Sequence, residues 1–135
     1  MRAIRWTRIG LGLVALAAGV ACGGGDSTGP KAGTATVSLV TPNADDGVVL
    51  LTLTGPGLAN VQSASSSYKV YWRVVSPSEV RAIVVGNLTS GAVLTASVDD
   101  VSKVGQYSGT VVEAASRSDV VRTSTSGYGV TFAAH

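Results

Sequence analysis

The chain has 135 residues, of which 45% are hydrophobic and 13% charged, with ten Lys or Arg, eight Asp or Glu, and a single His and a single Cys. That length holds one domain, and one Cys with one His can form neither an intrachain disulfide nor a zinc site. Arg2, Arg5 and Arg8 supply three of the basic residues, so from Cys22 onward seven Lys or Arg face eight Asp or Glu, and no cationic run remains to bind nucleic acid.

The first element is a leader. Met1 to Arg8 carry the positive charge, and Ile9 to Ala21 (IGLGLVALAAGVA) run 13 residues without a charge. This is the pattern of a signal peptide, since a transmembrane helix needs about 20 apolar residues to cross the hydrocarbon. Val20 and Ala21 are small enough to precede a cleavage site, and an exported chain has little use for one free thiol. The stretch GVAC, ending at Cys22, resembles the lipobox of bacterial lipoproteins, with Gly19 where that family most often has Leu. The resemblance implies that residues 1–21 are removed, that the Cys22 thiol receives diacylglycerol, and that the new amino terminus is acylated. Each buried methylene adds about 0.8 kcal/mol to membrane binding, so two or three chains hold a domain on a bilayer where one does not. Gly23 after the lipid site resembles the pattern exported to the outer membrane. The expected location is therefore the cell envelope, lipid-anchored at the outer membrane, on its periplasmic or surface face.

Residues 22–33 pair that cysteine with GGGDSTGPKAG, a Gly- and Ser-rich spacer too polar to order itself. Pro30 stands where a phosphate-binding loop needs Gly-Lys, and no strand precedes it.

Residues 34–135 read as the folded domain. The sequence is rich in Val and Thr, turn residues recur at short spacing, and no long window has a helical period. Strands are predicted over Thr34 to Thr41, Val48 to Thr54, Tyr68 to Val75, Glu79 to Val85, Ala92 to Asp99, Tyr107 to Ala115, Val120 to Ser124 and Tyr128 to Ala133, with a weaker one near Val61. One short helical turn is expected over Asp99 to Val104, capped by an Asp. The fold class is all-β, a single antiparallel β-sandwich of about seven to nine strands. Alternation assigns Val49, Leu51 and Leu53 to the core, with Tyr68, Val70, Trp72 and Val74 and with Leu94, Ala96 and Val98 as further rows. Trp72 is expected to be the most damaging residue to lose.

The opposite side of the Tyr68–Val75 strand presents Lys69, Tyr71 and Arg73, cations flanking a ring, and is the candidate binding face. Arg81 and Ile83 join it if Ser76-Pro77-Ser78 closes a hairpin. That register sets Arg73 opposite Arg81, a like-charge pair that a bulge or longer loop would relieve, so the register stays open.

No catalytic constellation is present: the only histidine is the terminal His135, expected to fray, and no Gly-x-Ser-x-Gly elbow occurs. The paired carboxylates Asp45-Asp46 and Asp99-Asp100 more often solvate turns than clamp a substrate. Asn43, Asp45 and Asp46 are weak candidates for a loop calcium, but a Glu is missing from the twelfth loop position, where Thr54 stands. No metal and no cofactor is expected, and the chain is read as a non-enzyme.

The order TPNADDGVVLLTLTGPG, YKVYWRVV, IVVGNLTSGAVLTASVDDV and YSGTVVEAA resembles a recurring type of bacterial lipoprotein domain of unassigned role, and more loosely the cohesin-like and immunoglobulin-like sandwiches of cell-surface proteins. That implies a non-catalytic binding or scaffolding role. The expectation is a lipid-anchored envelope domain that binds a protein or glycan partner, or alternatively a structural subunit joined to an envelope assembly through sheet-edge pairing.

Overall fold

The computed structural model describes residues 29–135. The leader, Cys22 and most of the spacer lie outside the described residues. The strands are β1 (Gly33–Val40), β2 (Asp46–Thr54), β3 (Ala59–Ser63), β4 (Lys69–Ser76), β5 (Glu79–Leu88), β6 (Gly91–Val98), β7 (Ser108–Ser116) and β8 (Gly129–Ala134), with one 3-10 segment at Val101–Gln106. They form one antiparallel sheet in the order β3-β6-β1-β8-β7-β2-β5-β4, curled until it is nearly a barrel.

The all-β antiparallel class is as expected, but the backbone ladder is continuous where a sandwich of two sheets would break it. The two halves, β3-β6-β1-β8 and β7-β2-β5-β4, are stitched by a single pair, Gly109 with Val130. A Cβ on Gly109 would sit 2.6 Å from Val130 Cγ1 and 3.0 Å from Leu53 Cδ2, so a side chain at the stitch would have to displace Val130.

Period-two alternation builds the core. Ala35, Val37 and Leu39 of β1, Val49, Leu51 and Leu53 of β2, Val80, Ala82 and Val84 of β5, and Leu94, Ala96 and Val98 of β6 are all buried inside the curl. Tyr107 closes one end: its hydroxyl donates to the Pro56 carbonyl at 2.6 Å and accepts from the Asp99 N–H at 3.2 Å. Gly55, at φ +152°, lies under that ring, where any Cβ would overlap it.

Three expectations change, and the register left open is fixed. Trp72 and Val74 do face inward with Ala82 and Val80, but they are 39% and 53% exposed. The reason is topological: β4 ends the sheet, and β3, only five residues long and irregular in register at Asn60, does not pair with it. Trp72 is thus at a rim, and the fully buried Leu51 and Leu53 lie at the centre. Second, Val120 to Ser124 is no strand; it makes one bridge, Ala115 with Val121, before turning away. Third, His135 is held, its N–H donating to the Thr34 carbonyl at 3.0 Å. The β4–β5 hairpin closes through Pro77-Ser78 with Arg73 directly opposite Arg81, a bulge following between Val74 and Ser76.

Candidate binding face

The outward side of β7-β2-β5-β4 is built from three cross-strand rows. Lys69 pairs with Val85, Val85 with Val48, and Val48 with Ala115; the next row is Tyr71, Ile83, Leu50 and Glu113; the third is Arg73, Arg81, Thr52 and Thr110. Lys69, Tyr71 and Arg73 therefore do share one face, and they occupy its β4 margin. Tyr71 is 61% exposed and Ile83 40%, although both stand in the middle row.

The outward side of the other half has a different chemistry. There Thr36 of β1 pairs with Thr95 of β6, Thr95 with Gln62 of β3, Thr34 with Ser97, and Ser38 with Thr131 of β8. Hydroxyls and an amide satisfy water on a pleated surface, and β-branched Thr also suits the strand. The domain thus has one outward face that is mainly hydroxyl-bearing, with Val40 at the end of β1, and one carrying Leu50, Ile83, Val48, Val85 and Tyr71.

Two shallow depressions share Leu50 and Ile83 on that face. One, of about 310 Å³, is lined by Leu50, Tyr71, Trp72, Arg73, Arg81 and Ile83. The other, of about 210 Å³, runs toward Glu113 and Ala115. Charge is divided along the rows. Glu79 lies 3.6 Å from the Arg81 Nε and partly offsets the Arg73–Arg81 opposition, whereas Lys69 and Arg73 form no ion pair among the described residues. The face is cationic along β4 and anionic at Glu113.

The residues considered for calcium are engaged otherwise. Asp46, fully buried at the start of β2, accepts from Arg122 Nε at 3.0 Å and Nη2 at 2.7 Å on one oxygen, and from the Thr41 hydroxyl at 2.5 Å and the Tyr128 hydroxyl at 2.8 Å on the other. Asp45 accepts from the same guanidinium at 2.5 Å, and Asn43 Nδ2 donates to the Tyr128 oxygen at 2.8 Å. Burial pushes the Asp46 carboxyl up, but the hydrogen bonds from Thr41, Arg122 and Tyr128 outweigh it and hold the group below the usual carboxylate range. Asp46 in turn raises the Arg122 pKa.

Asp100 caps the 3-10 segment, accepting from the Ser102 hydroxyl at 2.6 Å and the Ser102 N–H at 3.0 Å, which lowers its pKa. The two aspartate pairs sit at opposite ends of the strands: Asp46 follows the loop after the C-terminal end of β1, and Val98, just before Asp99, pairs with Gly33 at its N-terminal end. They share no cleft.

Alternation assigns one parity of each strand to the core and leaves Leu50, Val48 and Val85, on the other parity, without a role. The signal was present in VVLLTLT and IVV, where apolar residues occupy both parities, the mark of a strand covered on both faces. Arg122 lies in a segment that reads as a strand, and nothing in the sequence marks it as the partner of Asp46.

Comparison with protein-family models, curated proteins and solved structures gives no match for this chain.

Proposed function

We propose that the chain is a non-catalytic, lipid-anchored domain of the cell envelope, tethered through acyl chains on Cys22, that docks a protein partner on the outward face of β7-β2-β5-β4. The observation that carries this reading is the contrast between the two outward faces, Thr and Ser on one and Leu50, Ile83, Val48, Val85 and Tyr71 on the other. A broad, gently dimpled apolar surface with cations at its margin suits a protein better than a glycan, which needs polar groups converging in a groove. The resemblance of GVAC to the lipobox supports the tether, and Gly23 supports the outer membrane.

Photo-crosslinking in cells tests the docking. A benzophenone side chain in place of Ile83 is expected to give a discrete protein adduct that Tyr71→Ala weakens without unfolding the domain, and the same probe at Thr95 none. Equal labelling from both positions, or none from Ile83, overturns the docking face. Cys22→Ser is expected to release the protein from membranes; retention would overturn the tether.

A second reading, a subunit held in an envelope assembly by strand pairing, is favoured by the free edge of β4.

A further inference from the structure

We infer that the free edge of β4 receives an extended segment of the partner, one that alternates apolar and acidic residues and adds to the sheet as a ninth strand beside the existing eight. The inference rests on the reading of the domain as a protein-docking module and states the form that the docked segment takes.

Three observations meet on this strand. First, β4 is an eight-residue terminal strand, and β3, which closely approaches it, makes no ladder with it, so one row of its N–H and C=O groups has no strand partner. Proteins usually protect such an edge with proline, an inward charge or a covering loop. β4 has no proline, and its inward-facing residues are Val70, Trp72 and Val74.

Second, those inward side chains are left partly uncovered, Trp72 by 39% and Val74 by 53%, although their cross-strand partners Ala82 and Val80 are buried. The core stops one strand short. A neighbouring strand with apolar residues on its inward side would complete the row, as alternate side chains do in strand addition.

Third, the outward side of the same edge carries Lys69 and Arg73, neither of them ion-paired among the described residues, with Arg81 behind Arg73. An added strand places its outward residues directly beside these cations, where carboxylates are favoured and cations opposed. The same charges act against a second copy of this chain. Antiparallel pairing of β4 with itself about Tyr71 sets Lys69 against Arg73, and any such pairing gathers four cations on one strip. The occupant that fits is therefore a foreign strand with apolar residues inward and acidic residues outward.

The test uses the full chain purified in detergent and three capped ten-residue peptides: alternating Glu and Val, alternating Lys and Val, and the Glu–Val peptide with alternate amides N-methylated. Affinity is read by anisotropy of a dye-labelled peptide, and location by amide exchange over residues 69–76. The Glu–Val peptide is expected to bind and slow exchange in β4, with the Lys–Val peptide at least about tenfold weaker. The N-methylated peptide, which cannot complete a ladder, should give no protection. The double variant Lys69→Glu/Arg73→Glu, altered only at exposed positions, should reverse the preference while keeping its circular dichroism; Arg73→Gln should weaken it without reversal.

Equal affinity for the Glu and Lys peptides, absence of binding, or binding that leaves β4 exchange unchanged would overturn the inference. So would protection of β4 that rises with protein concentration in the absence of peptide, which would assign the edge to a second copy. If the Ile83 adduct persists while the peptides fail, the docking face stands and strand addition falls. If the Ile83 adduct is absent while β4 is protected, the reverse holds.

Discussion

Arg122 grips Asp46 across 76 residues of sequence, two of its N–H groups on one carboxylate oxygen at 3.0 and 2.7 Å. The pair joins the start of β2 to the segment before β8, and Tyr128 and Thr41 fill the other oxygen. A buried carboxylate relieved of its partner is costly, whereas removing both charges together costs much less. Asp46→Ala is expected to lose about 3 kcal/mol of stability, because it empties a fully buried polar site and removes the acceptor of four donor groups on three side chains. In a double-mutant cycle, Asp46→Ala with Arg122→Met should lose less than the sum of the single variants, as measured by urea unfolding.

The same carboxylate sets the acid limit. Its native pKa lies below that of an unfolded aspartate, about 4, so the unfolded state takes up protons first as pH falls. The stabilisation is complete above about pH 5 and is lost as pH drops through 4 toward the native pKa. Asp100, lowered by Ser102, acts in the same direction. Urea midpoints should be level from pH 7 to 5 and fall below 4, and Asp46→Asn should flatten that fall.

At the other end of the domain the Tyr107 hydroxyl serves both the Pro56 carbonyl and the Asp99 amide. Tyr107→Phe leaves both groups without that partner and is expected to cost about 1–2 kcal/mol. Gly55→Ala should cost more, since the new methyl meets the ring and the backbone is left-handed there. Thermal unfolding of the two variants checks the order.

Leu51→Ala is expected to lose about 3 kcal/mol or more, the cost of a cavity in a closed core. Trp72→Ala, at the partly open rim, should lose less. A reversed order in chemical denaturation would mean that the rim is closed in solution.

Much of the architecture was legible in residues. Val49, Leu51 and Leu53 and Leu94, Ala96 and Val98 declare their face by alternation alone, and Asp100 declares a cap. Lys69, Tyr71 and Arg73 fall on one face, because neighbours two apart on one strand share a face wherever the strand lies. Burial of Trp72 was not legible, since periodicity gives a direction and says nothing of whether another strand covers it. The ion pair of Asp46 with Arg122 was also invisible, being a long-range outcome of strand order. The register of β2 with β7 sets Asp46 beside Ser116, and the chain's return through the Ala115–Val121 bridge brings Arg122 back to it.

The position of β1 carries a last consequence, for the order in which the molecule comes into being. Its ladder partners are β6 and β8, the nearer beginning at Gly91 and the farther ending at Ala134. A chain delivered amino terminus first presents β1 early, leaves it unpaired until β6 has emerged, and leaves its other edge open until β8 follows. Closure over such separations is slow and leaves β-forming sequence exposed meanwhile. The first strand among the described residues is therefore secured on both edges only when the six residues of β8 are in place.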